Sequence, residues 1–356
     1  MNRPQTLADD LLARLPLSPD IHLHKLDLAR ELALLVAFDA GIYRAASFLD
    51  DRVIQPSTQG AWIAAGQVAE AAGRIRNARP VHFIFHTGHV GSTLVSRLLG
   101  EITGVLSLRE PLTLRTLAEA HDGLGRPESG LSAVQFRDLC QWLMCIWSRA
   151  YPAGLATVVK ATSTAGRIAG AILERHAASR AIYLNVRAEP YLATLLAGEN
   201  SPVDLRGHAP GRMRRLERQL GRPLASPDTL LLGELAALGW LAETCSQQDA
   251  VRQLANQVLC VDFDQLLSTV GTGMSQIAAH LGLPVAADFS TQVERSPVLT
   301  RYSKAPEHEY SPLLRAEVLA DSRRRNQAEI RSGLVWLESL AKGDAGIARV
   351  LNECGL

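Results

Sequence analysis

The most constraining stretch of the chain is the run Val81-His82-Phe83-Ile84-Phe85-His86, which passes directly through Thr87-Gly88-His89-Val90-Gly91-Ser92-Thr93 into Leu94-Val95-Ser96-Arg97-Leu98-Leu99. The first run reads as a strand buried on both faces. The last places apolar residues at 94, 95, 98 and 99, the spacing of one helix face. A strand that turns through glycines into a helix aims backbone amides and the positive helix end at whatever lies above the turn. Gly88 and Gly91 let a ligand approach the backbone closely, and Ser92 and Thr93 add hydroxyl donors. Residues Gly88, His89, Val90, Gly91, Ser92 and Thr93 are therefore a candidate phosphate loop. Glycines also serve simply to join a strand to a tightly packed helix; the paired hydroxyls and the uninterrupted amphipathic helix favour the anion reading. The nucleotide-hydrolase form of this turn carries a lysine after its last glycine. Here Ser92 follows Gly91, which removes the cation that ATP or GTP chemistry uses on its terminal phosphates.

Three further apolar runs, at 156–160, 181–186 and 258–263, alternate with helical stretches. That alternation predicts an α/β fold: a P-loop-type three-layer core with a mainly parallel sheet. Open sheets of this kind bind ligands beyond the carboxyl ends of their strands, where this chain carries Lys160, Arg187 and Asp262. Residues 1–79 read as a helical extension without strand pattern, with Asp20 as an N-cap. Residues 80–310 form the expected core. Within it, 200–227 is rich in Gly, Pro and Arg and reads as a long loop holding a short basic helix. Residues 311–356 read as a C-terminal helical segment packed on the core, with one helix over about 313–342.

A net charge of +1 over 356 residues gives no global field for nucleic acid or an anionic membrane. The amino-terminal stretch lacks a signal-peptide core, and the apolar run from Leu32 is stopped by Asp39 well short of a spanning length, so no membrane insertion is expected. Five cysteines without a CxxC pair suggest reduced thiols and a cytoplasmic location. His22 and His24 have no partners at ligand spacing, so no metal is expected. No G-x-S-x-G elbow for a serine hydrolase is present.

Together with the segments downstream of it, the loop resembles the sulfotransferase superfamily, in its bacterial branch: His89-Val90-Gly91-Ser92-Thr93-Leu94 is similar to the Gly-(Ser/Thr)-Thr-Leu end of that family's 5′-phosphosulfate loop. The likeness runs over most of 80–305. It implies 3′-phosphoadenosine 5′-phosphosulfate (PAPS) as donor, the 3′,5′-bisphosphate PAP as product, and a small-molecule or peptide acceptor bearing a hydroxyl or amine. Ser107-Leu108-Arg109-Glu110-Pro111 looks like the segment that supplies a general base, which makes Glu110 the candidate; the plainer reading is a helix-start carboxylate. Lys160, ending its strand, resembles the lysine that stabilises the transferring group, although its stem could simply snorkel to solvent. Asn185-Val186-Arg187-Ala188-Glu189-Pro190 resembles the 3′-phosphate signature, giving Arg187, with Thr194 as a hydroxyl one residue out of step. Arg301-Tyr302-Ser303-Lys304 resembles the basic loop over the adenosine 3′-phosphate, giving Arg301 and Lys304. The family's loop Lys or Arg is replaced by His89, which assists as a cation only if neighbouring anions raise its pKa. Arg206, Arg212, Arg214, Arg215, Arg218 and Arg222 read as an acceptor-binding cluster or as a solvated face. Two other readings stay open: a P-loop kinase or nucleoside triphosphatase with Asp262 on magnesium, and a catalytically silent nucleotide-binding protein of the same fold.

Overall fold

The computed structural model describes residues 6–126 and 129–355. The expected helical extension is in part a sheet: β1 (Ile21–Asp27), β2 (Leu32–Ala37) and β3 (Gly60–Ala64) pair antiparallel in that order. The helices Leu7–Arg14, Ala40–Ala45 and Ala65–Ala72 surround it. Helix propensity misleads here because Leu and Ala dominate β2, yet propensity differences of a few tenths of a kcal/mol per residue yield to tertiary burial. In β1 the four residues Ile21 to His24 are all buried, and the pairing slips between Leu23 and Lys25. Burial on both faces and that slip together erase the period-two signature.

The central sheet consists of β4 (Val81–His86), β5 (Val105–Arg109), β6 (Ala156–Lys160), β7 (Ala181–Asn185) and β8 (Val258–Asp262), all parallel, in the order β5-β6-β4-β7-β8. Alternate residues of β4 serve different faces. Phe83 and Phe85 join the apolar cluster shared with the N-terminal sheet and the helix Ala133–Trp147. Ile84 joins the opposite cluster with the helices Ser92–Gly100, Ala188–Leu196 and Leu232–Gln253. The chain is thus α/β with helices on both faces of a five-stranded parallel sheet, as the strand alternation predicts. The strand that sequence reasoning passed over is β5. Ser107 and Arg109 interrupt its apolar run, but both are buried and bonded: the two hydroxyls of Ser96 and Ser107 lie 2.7 Å apart, and an Arg109 Nη1–H donates to the Tyr43 carbonyl at 2.8 Å.

The expected loop at 200–227 is a twenty-residue helix, Ser201–Leu220. Pro202 sits in its first turn, where no intrahelical N–H is required, and Gly221 at φ 64° closes it. Pro210 lies in the helix interior at a real cost, offset by burial of Leu205, Ala209, Met213 and Leu216, one apolar stripe among the Gly, Pro and Arg that suggested a loop. The C-terminal segment holds three helices rather than one, Pro312–Arg325, Gln327–Gly343 and Ala345–Cys354. The break falls at Asn326, whose amide donates to the Leu196 carbonyl at 3.1 Å.

Candidate active site

A cavity of about 790 Å³ opens beyond the carboxyl ends of β4, β5 and β6. Its centre is the loop between β4 and the helix Ser92–Gly100. Gly88 (φ 108°), His89 (φ 53°) and Gly91 (φ 66°) all take the left-handed side of backbone space, which curls the loop toward the helix start and makes a concavity for an anion. At Gly91 the glycine is also a steric requirement, because a Cβ would collide with the Phe263 ring. Buried around this loop, the hydroxyls of Thr87, Thr93 and Thr162 and the Nδ1 of His86 have no hydrogen-bond partner. Buried polar atoms are nearly always paired in native proteins; of these, the Thr93 and Thr162 hydroxyls border the cavity and can donate to a ligand oxygen, whereas His86 Nδ1 is an acceptor, since its Nε2–H is given to the Ala161 carbonyl. A phosphate-bearing donor fits these residues.

Glu110 follows β5 at φ 53°, held there by its own N–H, which donates to the Lys160 carbonyl at 2.7 Å. A carboxylate in the left-handed region is a strained arrangement that persists where its surroundings enforce it. Lys160, the last residue of β6, forms an ion pair with Glu110; its side chain is 1% exposed against 20% for the carboxylate. It does not snorkel. Its ammonium lies 5.7 Å from the centre of the Phe48 ring, a cation–π contact. Lys304 also lines the cavity, and its pKa is lowered first by desolvation and then by Lys160, with Glu110 opposing.

His89 touches solvent in the cavity, yet it is surrounded by protein on its other sides. Desolvation first, and then Lys304, Arg212 and Lys160, push its pKa down to about 3, so without a bound anion the ring is neutral. His86, beneath it, is buried and bonds through Nε2 to the Ala161 carbonyl at 2.9 Å.

Of the residues singled out in the sequence, Gly88 through Thr93, Glu110, Lys160, Thr194, Arg301 and Lys304 all border the cavity. The Thr194 hydroxyl donates to the Pro190 carbonyl at 2.7 Å within its own helix. Arg187 does not border it; its side chain packs against Gly355 near the carboxyl terminus. Asp262 caps the helix Phe263–Ser268 by accepting the Gln265 N–H at 2.9 Å and stands outside the cavity lining. Sequence reasoning missed Phe48, Asp50 and Arg52, which enter from the N-terminal part, and Tyr310 and Arg315 on the other side. Nothing in an N-terminal stretch read as helical pointed to the first three. Arg52 is held by a two-pronged bond to Asp50 at 2.9 and 3.0 Å and lies 4.1 Å over the Phe48 ring.

Among the described residues no group of three or more His, Cys, Asp and Glu could hold a metal, and no helix is long and apolar enough to cross a membrane.

No protein-family model matches the chain, and no curated protein does. Similar solved structures are found. A sulfotransferase domain from the curacin biosynthetic pathway is 18% identical with a TM-score of 0.40, over 70% of this chain and 92% of that one. Sulfotransferase STF9 from Mycobacterium avium is 12% identical with a TM-score of 0.37, over 91% and 98%. Mouse sulfotransferase SULT7A1, solved with PAP, is 11% identical with a TM-score of 0.36, over 83% and 97%. Likeness at this level says nothing of individual residues.

Proposed function

We propose that the cavity binds PAPS and that the protein transfers its sulfuryl group to a hydroxyl or amine of a small-molecule or peptide acceptor. The observation that carries this reading is the meeting, in one cavity, of an anion-shaped loop lacking the hydrolase lysine with a carboxylate–lysine pair delivered by the two adjacent strands β5 and β6. The donor supplies sulfur in a mixed anhydride whose bond to the 5′-phosphate oxygen breaks as the acceptor heteroatom bonds to sulfur. Glu110 takes the acceptor proton, a role suited to a carboxylate partly open to the cavity. Lys160 neutralises charge arising on the phosphate as the bond breaks. The amides of residues 88–93 and the hydroxyls of Ser92 and Thr93 hold the 5′ end, and Lys304 and Arg301 face the same space. Arg187 would reach a 3′-phosphate only from outside the cavity lining, so the 3′ end rests on Arg301, Lys304 and Thr194.

The triphosphatase reading is weakened by Asp262, which is spent on a helix cap. Calorimetry with PAP against ATP and magnesium tests the proposal. PAP is expected to bind more tightly; tighter binding of ATP overturns it.

A further inference from the structure

Behind the phosphate loop, two arginines share one carboxylate. Arg212 and Arg215 come from the helix Ser201–Leu220, and Glu243 from the helix Leu232–Gln253. Arg215 reaches Glu243 at 2.6 and 3.3 Å, and the Arg212 Nε–H donates to it at 3.3 Å. The three side chains are 8%, 12% and 0% exposed for Arg212, Arg215 and Glu243. One carboxylate balances one guanidinium, so this buried trio carries a surplus positive charge. Asp122, the other acid that acts on Arg215, is already engaged by Arg167 at 2.9 Å and Arg218 at 3.8 Å. An uncompensated buried charge is costly unless something answers it.

The surplus is aimed at the loop. A Cβ on Gly239 would stand 3.1 Å from Arg212 Nη1 and 3.3 Å from the Tyr191 hydroxyl, and a Cβ on Gly88 would stand 3.5 Å from that same hydroxyl. The Arg212 guanidinium and the Tyr191 hydroxyl therefore both lie beside Gly239, where a side chain would crowd them, and the same hydroxyl lies beside Gly88, the first glycine of the loop. Arg212 itself is absent from the cavity lining; it stands one layer behind.

We infer that Arg212 is a positioning residue that supplies, from behind the loop, the positive charge that position 89 lacks, and that its counter-charge is a phosphate-type anion held at residues 88–93. Naming that anion as the phosphate end of PAP rests on the proposed function; the surplus charge does not. Glu243 fixes the guanidinium through Nε, while Arg215 satisfies the carboxylate, so removing Arg212 leaves a balanced pair and an intact fold.

The test compares wild type with Arg212→Met and Arg212→Lys, measuring affinity for PAP and for inorganic pyrophosphate, the His89 pKa by NMR, and thermal stability. In the free protein His89 faces Lys304, Lys160, His86 and Arg212. Arg212→Met is expected to weaken both ligands by about tenfold and to raise the His89 pKa, because one facing cation is gone; Arg212→Lys recovers most of the affinity. Unchanged affinity and unchanged His89 titration in a folded Arg212→Met protein overturn the inference, as does equal loss in both variants. If Arg212→Met fails to fold, Glu243→Gln decides: with the surplus enlarged, pyrophosphate binds more tightly, and unchanged or weaker binding overturns the idea. A wild-type protein that prefers ATP to PAP, but whose Arg212→Met form still loosens pyrophosphate, sinks the sulfotransferase reading and keeps this one.

Discussion

Two glutamates of this protein meet buried cations, and they are arranged oppositely. Glu243 lies inside a helix layer, fully buried, with two arginines filling its oxygens. Burial alone would raise its pKa, but Arg215 and Arg212, with a hydrogen bond from Arg215, outweigh burial and hold it below the ordinary carboxylate value. Glu110 meets one lysine, keeps a fifth of its side chain exposed, and sits at a left-handed backbone position at the cavity floor. The Thr93 and Thr162 hydroxyls on the same cavity go unpaired, whereas both oxygens of Glu243 accept from guanidinium groups. The closed cluster ties two helices together; the open one faces the cavity. Substitution should separate them by which measurement moves.

The largest effect is expected at Glu110. Glu110→Gln keeps an acceptor for Lys160 but cannot take a proton, so transfer of labelled sulfuryl from PAPS to a panel of phenol, alcohol and amine acceptors should fall about 10³-fold, within the range for losing a general base. PAP affinity should change less than about threefold. Loss of PAP binding with no separate loss of transfer would make Glu110 a structural residue like Glu243.

Next comes Glu243→Leu, which leaves two buried guanidiniums without their acid. Breaking a buried pair in this way costs about 3–5 kcal/mol, which for a chain of this size lowers the melting temperature by roughly 4–7 °C. Differential scanning calorimetry checks it. A shift no larger than that of Glu110→Gln would erase the distinction between the two clusters.

These contrasts also show what the sequence could and could not reveal. Strands β4, β6 and β7 were legible because they are buried on both faces and so nearly all apolar, and the edge strand β8 because its run Val258-Leu259-Cys260-Val261 is apolar although only Val258 is fully buried. The glycine turn was legible because left-handed backbone and close packing demand glycine at 88 and 91. Glu110 and Lys160 were legible only as strand-end residues; their pairing depends on β5 lying beside β6, and β5 was hidden by Ser107 and Arg109, polar residues satisfied by distant partners. The Arg212–Arg215–Glu243 cluster was illegible: its two arginines lie on a helix whose prolines and glycines read as loop, and nothing local announces a carboxylate 28 or 31 residues away on another helix. Phe48 and Arg52 stayed unseen because the stretch around them read as helical, with Leu and Ala dominating β2 and two-sided burial hiding β1.

Gly91→Ala sharpens the comparison on the loop itself. Gly91 sits at φ 66° with the Phe263 ring in the way of any Cβ, whereas at Gly125, φ 76°, a Cβ would meet none of the described residues. Alanine at 125 should cost only about 1 kcal/mol of backbone strain. At 91 the ring or the loop must move as well, so PAP affinity should fall by more than about tenfold, read by calorimetry. Equal effects at the two glycines would mean that the loop geometry serves packing and not the ligand.

The smallest effect concerns His89, which lies between the open region and the surplus charge behind it. Free, its pKa is depressed to about 3, first by desolvation and then by Lys304, Arg212 and Lys160. A bound polyphosphate screens those cations and favours the imidazolium, so the bound pKa lies above the free one. Between the two values the complex holds a proton that the free protein lacks; PAP binding should therefore take up a fraction of a proton, and affinity should rise as pH falls through that window. Calorimetry in two buffers of different ionisation enthalpy at pH 5.5 to 6.5 measures the uptake, and His89→Gln should abolish it. Zero uptake in wild type would mean that the ring stays neutral with ligand bound. The loop would then meet its anion with fixed charge alone, from Lys160 and Lys304 in the cavity and Arg212 behind it.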